Sequence, residues 1–181
     1  ALDHLRQRIA ANAEALAQTI RAEGGKPISA ARTEVARAQA TLREAAAEAG
    51  RLDGQTLDLD RDAATRGWRG LTRRVPAGVA SLVTPFNFPL NLVVHKLAPA
   101  LAAGCPVLLK PAPATPLSAL ALGEWLAECD LPEGAFSILP CANEHAAPLI
   151  EDDRIAVLSF TGGLVGWDLK ARAGKKRVVL E

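Results

Sequence analysis

The period of the apolar positions changes twice along the chain. Over the first fifty residues Leu2, Leu5, Ile9, Ala13, Leu16 and Ile20 recur at steps of three and four, which predicts one helix with a single buried face. Gly24-Gly25 and Pro27 end it, because glycine takes the left-handed cap and proline cannot extend a helix. Ser29 is the expected N-cap of a second helix, whose stripe of Val35, Ala38, Leu42, Ala45 and Ala49 stops at Gly50. Residues 51–75 lose the period. Leu52, Leu57, Leu59 and Leu71 are scattered among aspartates and Arg61, Arg66, Arg69, Arg73 and Arg74, as in a solvated loop leading to an edge strand.

From Gly78 onward short apolar runs alternate with helical segments. The runs cover 78–83, 106–110, 135–139, 155–160 and 177–181, and the helical segments 89–103, 116–129, 143–151 and 163–173. Runs without in-out alternation belong to strands covered on both faces. Five of them separated by helices predict a parallel sheet with right-handed crossovers. The expected fold is α/β: a doubly wound, Rossmann-like parallel sheet of about five strands, preceded by N-terminal helices. Residues 1–75 would form the helical region and linker, and 76–181 the dinucleotide-binding domain. The last run reaches Glu181 with no helix to cover it, as expected of part of a longer polypeptide.

Composition narrows the function classes. The 181 residues, 49% hydrophobic and 23% charged, are enough to bury a core without disulfides. Lys and Arg total 21 against 20 Asp and Glu, a net charge of +1, so there is no field to hold nucleic acid or an anionic membrane. No 18-residue apolar run occurs, and the N-terminus is amphipathic. Cys105, Cys129 and Cys141 fit neither a disulfide framework nor a zinc site and suit a reducing, cytoplasmic compartment; no metal is expected.

Open α/β sheets bind ligands beyond the carboxyl ends of their strands. Those ends carry Thr84-Pro85-Phe86-Asn87-Phe88-Pro89, Lys110-Pro111-Ala112-Pro113, Pro140-Cys141-Ala142-Asn143, Phe160-Thr161-Gly162-Gly163 and Glu181. Asn87, Lys110, Thr161 and Glu181 are therefore expected on one rim. Asn87 offers an amide N–H to an oxyanion. Lys110 can reach ribose hydroxyls or phosphate, and Gly162-Gly163 with Gly166 opens a helix toward an anion. Glu181, if buried, would have a raised pKa suited to a general base. His95 reads as a packed or surface helix residue and Cys105 as a small core residue. Cys141 reaches the rim without a base, so none of the cysteines is expected to be a nucleophile.

Several ordered motifs resemble the aldehyde dehydrogenase superfamily. They are Glu23-Gly24-Gly25-Lys26-Pro27, Thr84 to Leu90, His95 to Pro106, Lys110-Pro111-Ala112, Thr115-Pro116-Leu117, Phe160-Thr161-Gly162 and Val178-Val179-Leu180-Glu181. The resemblance implies NAD(P)-dependent oxidation of a small aldehyde to a carboxylic acid. In that chemistry a cysteine attacks the aldehyde, an asparagine matching Asn87 holds the oxyanion, and a glutamate matching Glu181 activates the hydrolytic water. It further implies that Lys110 holds the adenosine ribose and that Lys96 relays protons. Val83, Thr84, Pro85 and Phe86 would flank the cofactor, and Val165 would lie near the adenine.

The departures from the family pattern are specific. The family's nucleophilic cysteine lies beyond the Leu-Glu motif, so these residues alone are expected to be inactive. Gly163 stands where a pyrophosphate-contacting serine is usual, and Cys141 and Asn143 replace glycines. Pro113 replaces a glutamate that binds the ribose 2′-hydroxyl, which leaves NAD or NADP open. A homo-oligomer, dimer or tetramer, and a small semialdehyde or hydroxyaldehyde substrate are further implications. Two other readings are a CoA-acylating relative, which Glu181 argues against, and a non-catalytic nucleotide-binding module.

Overall fold

A computed structural model describes residues 1–181. The first apolar stripe forms two helices rather than one, α1 (Leu2–Ala11) and α2 (Ala13–Gly24). Asn12 interrupts them: its side-chain Nδ2 donates to the Arg8 carbonyl at 2.8 Å, so a local polar bond replaces helix continuation. Gly25, at φ 64°, closes α2 in the left-handed region. Helix α3 (Ile28–Ala49) starts directly after Pro27, and no side chain caps it. Ser29 is therefore not the N-cap. It lies within the first turn, because the extended backbone of Pro27 already sets the start.

Residues 51–75 hold a separate antiparallel ribbon of β1 (Thr56–Asp58) and β2 (Arg69–Leu71), with Thr56 opposite Leu71 and Asp58 opposite Arg69. It is its own two-stranded sheet, not an edge of the main one. Its apolar side chains, Leu57, Trp68 and Leu71 among them, stay exposed.

The main sheet has five parallel strands: β3 (Val79–Val83), β4 (Val107–Lys110), β5 (Phe136–Ile138), β6 (Ile155–Phe160) and β7 (Arg177–Leu180). Their order is β5-β4-β3-β6-β7, so the chain winds outward one way from β3 and then the other way from β6. Helices α4 (Asn91–Ala102), α5 (Leu117–Ala127), α6 (Ala147–Glu151) and α7 (Val165–Arg172) make the connections. The segment predicted as one helix over 143–151 is a 3₁₀ turn, Asn143–His145, followed by the short α6. Pro148 in the first turn of α6 has no N–H to bond backward, which separates the two.

Successive residues of the strands face opposite layers. Ala80, Leu82, Val107 and Leu109 join a 23-residue apolar cluster that runs without interruption through α1–α3, α4 and α5. Val83, Leu108 and Val178 instead meet a smaller cluster of Leu149, Ile150, Leu158 and Ala173 under α6 and α7. With a helical layer on each face, both parities of β3, β4 and β6 are mostly apolar, whereas β7 leaves Arg177 and Val179 exposed. No helix is long and apolar enough to cross a membrane.

Candidate cofactor site

The chain reverses its winding between β3 and β6, and the loops leaving those two strands diverge there. Such a switch point opens a crevice at the carboxyl edge of a doubly wound sheet. Here it holds a cleft of about 680 Å³. All ten residues expected at a cofactor line it: Val83, Thr84, Pro85 and Phe86 after β3, Lys110 and Pro113 after β4, and Thr161, Gly162, Gly163 and Val165 after β6. Ile150 and Leu169 add apolar walls from α6 and α7, and Arg172 sits beside them. Arg172 is tied to Glu151 at 2.8 Å and to Asp168 at 3.3 Å, which joins α7 to α6.

The polar groups of the cleft are few and specific. Lys110 is 1% exposed, and its Nζ donates to Asn143 Oδ1 at 2.9 Å, with no carboxylate partner. Burial lowers its pKa, partly offset by the nearby Cys141. Thr84 is 5% exposed and its Oγ1 has no partner, although it borders the cleft. A buried hydroxyl left unpaired at the edge of a cavity is suited to a ligand. Gly162 has no room for a side chain, because a Cβ there would lie 2.6 Å from the Phe160 ring; at Gly163 a Cβ would meet nothing within 4 Å. An orphaned hydroxyl, a buried cation and a glycine edge fit the pyrophosphate and ribose groups of a dinucleotide.

The three residues expected in catalysis lie at the same carboxyl edge but outside this cleft. Asn87 is exposed in the loop between β3 and α4. Lys96, 7% exposed on α4, donates from Nζ to Ser159 Oγ at 2.8 Å. Glu181 follows β7, and its Oε2 accepts from Thr161 Oγ1 at 2.8 Å, while its carbonyl accepts from Gly162 N–H at 3.1 Å. Glu181 is exposed. It borders a smaller recess with Leu180, Gly166 and Trp167. Cys105 is buried at the opposite end of the sheet, before β4.

Burial lowers the pKa of Lys96, against a smaller opposite pull from Glu181. Between that lowered pKa and the usual lysine range, the unfolded chain binds the extra proton, so stability rises with pH across the window. The Lys96→Met variant lacks this dependence. Its stability relative to the wild type, read from urea melts, is expected to be greatest near neutrality and to decline as pH climbs toward that range.

Pattern reasoning did not single out Ile150 and Leu169, which look like any core positions of a helix. Asn143 was legible as an odd residue in its loop but not as the partner of Lys110. Glu34 left a clearer signal, a charge inside the apolar stripe of α3, and it is 1% exposed.

The molecule is thus a doubly wound α/β protein with a nucleotide-sized cleft at the carboxyl edge of its sheet. It belongs to the aldehyde dehydrogenase family, whose sequence model matches residues 1–181. A 3-sulfolactaldehyde dehydrogenase of Priestia megaterium is 40% identical over 170 residues, which is 93% of this chain and 36% of that protein. Aldehyde dehydrogenase 21 from Physcomitrella patens, solved with the reaction product succinate, superposes with a TM-score of 0.95 at 50% identity, over 99% of this chain and 38% of that one. Glyceraldehyde-3-phosphate dehydrogenase from Methanocaldococcus jannaschii, solved with NADP, gives a TM-score of 0.89 at 33% identity, over 99% of this chain and 40% of that one. The chain spans a little over a third of the length of the relatives it matches.

Proposed function

We propose that this chain supplies the NAD(P)-binding part, and several reacting groups, of an enzyme that oxidises a small aldehyde to the carboxylic acid. The observation that carries the reading is the cleft itself: buried Lys110, unpaired Thr84 and the Gly162-Gly163 edge face one nucleotide-sized space. In this division residues 76–181 form the dinucleotide-binding domain and 1–75 the helical support. When bound, NAD(P)+ would supply the hydride acceptor for the oxidation. Lys110 would hold the adenosine ribose, Val165 would lie near the adenine, and Thr84 and Gly163 would serve the remaining polar groups.

Asn87 donates its side-chain N–H to the oxyanion that forms when a thiolate attacks the aldehyde. Glu181 takes a proton from the water that releases the acid, and Lys96 with Ser159 passes protons inward. None of Cys105, Cys129 and Cys141 is placed beside Asn87 with a base, so the 181 residues alone do not turn over aldehyde in this reading. The reading also makes the protein a cytoplasmic homo-oligomer, consistent with its free cysteines and with exposed Trp68 and Leu71 on the ribbon. The relatives named for sulfolactaldehyde and solved with succinate support a short, anionic aldehyde as substrate.

Pro113 presents no carboxylate to a ribose 2′-phosphate, and the charged side chains that line the cleft, Lys110, Glu144 and Arg172, carry both signs. Both dinucleotides are therefore expected to bind, with dissociation constants within about tenfold of each other, roughly 1.4 kcal/mol. Calorimetry on the chain measures this, and an absence of heat with both overturns the reading. In the full-length protein Asn87→Ala is expected to lower kcat by about 10²–10³, followed by NAD(P)H absorbance.

A further inference from the structure

Helices α4 and α5 begin where two loops of the cleft end, and neither has a capping side chain of its own. Their N-cap positions are Leu90 and Pro116, without a side-chain hydrogen bond at either. The missing acceptors come from the distant corner between α2 and α3. Glu34 Oε1 accepts the Leu90 N–H at 2.9 Å and the Asn91 N–H at 3.1 Å. Glu23 Oε1 accepts the Leu117 N–H at 3.1 Å. Lys26, between them, pairs with the buried Glu34 carboxylate, and its Nζ stands 3.8 Å from the centroid of Phe88, the neighbour of Asn87.

We infer that Glu34 and Glu23 are positioning residues for the cofactor rim, each fixing one of its loops by capping in trans the helix that follows that loop. The inference rests on the cofactor site proposed above. Capping decides which residue is the first of a helix, so it also decides where the preceding loop must close. Glu34 thereby sets the end of the stretch holding Thr84, Phe86 and Asn87, and Glu23 the end of the stretch holding Pro113. A carboxylate at a helix N-terminus is further favoured by the helix dipole. Lys26 pairs with the Glu34 carboxylate in this dry position, and the cation over Phe88 holds that ring against the corner. The N-terminal helices, which contribute no residue to the cleft, act on it through these contacts.

The test uses the 181-residue chain and its Glu34→Gln and Glu23→Gln variants, with amide hydrogen exchange by mass spectrometry and calorimetry with NAD+ and NADP+. Glu34→Gln is expected to speed exchange over residues 84–92 about tenfold. Glu23→Gln should do the same over 111–118, each variant leaving the other loop and strands β3, β4 and β6 at wild-type rates. Both variants are expected to bind dinucleotide about three- to tenfold more weakly, Glu23→Gln melting near the wild type and Glu34→Gln lower, because it leaves Lys26 without its buried partner. A purely structural role would instead lower the melting temperature and speed exchange in the core strands without changing affinity, and that pattern overturns the inference. So do unchanged loop exchange and unchanged affinity in a wild type that binds normally. Should Glu34→Gln fail to fold, the half-buried Glu23 position decides alone. A wild type that binds neither dinucleotide rejects the functional reading instead.

Discussion

Replacing Lys110 with methionine is expected to make the chain more stable and nearly unable to bind its cofactor. Lys110 is buried with two neutral oxygen acceptors, from Asn143 and Pro111, and the Cys141 sulfur nearby. An ammonium in that setting loses hydration that two neutral acceptors do not restore, as its lowered pKa reflects. Methionine keeps the length of the stem and removes the charge, and Asn143 is exposed and can turn to water. A gain on the order of 1 kcal/mol is expected, a melting shift of about 2–4 °C for a chain of this size. A hydrogen bond from a charged group contributes about 1.5–3 kcal/mol, so NAD(P) affinity should fall ten- to about a hundredfold. Calorimetry and thermal melts on one preparation give both values. A destabilised variant that binds normally would contradict the assignment of Lys110.

The glycine pair after β6 should divide into one position that tolerates nothing and one that accepts a side chain. The Phe160 ring is wedged between Gly162 and Gly166, with built Cβ atoms at 2.6 Å and 3.1 Å from it. It cannot retreat from one without meeting the other. Gly162→Ala is therefore expected to cost about 1–3 kcal/mol, the usual range for overpacking, and to shift the cleft edge enough to abolish measurable binding. Gly163→Ser should fold as well as the wild type, because its Cβ enters open space. Its hydroxyl faces the cleft, and one added hydrogen bond of about 1 kcal/mol predicts roughly fivefold tighter dinucleotide binding. Urea melts and calorimetry on the two variants distinguish these outcomes. Equal stability losses at both positions would contradict the geometry.

Strand identity was legible because helices cover both faces of the inner strands, which makes each of them a mostly apolar run such as 78–83 or 155–160. The residues of the rim were legible for a related reason: parallel strands all end at one edge, so Lys110 and Thr161 can be assigned to it from the order of elements alone. What was not legible depends on contacts between distant segments. Asn12 breaks its helix through a side-chain bond to Arg8, and the apolar stripe passes through that break unchanged. The ribbon at 56–71 has the composition of a loop because it buries almost nothing. The two backbone groups that Glu34 caps lie 56 and 57 positions away in sequence, a distance that no local pattern reports.

The central place of β3 has a consequence during synthesis. It is the first strand of the main sheet to be made, yet it pairs with β4 on one side and β6 on the other, and β6 is translated about seventy residues later. At roughly 5–20 residues per second, its second edge remains open for several seconds on the ribosome, an interval in which a nascent chain of this topology is a natural client for a holding chaperone.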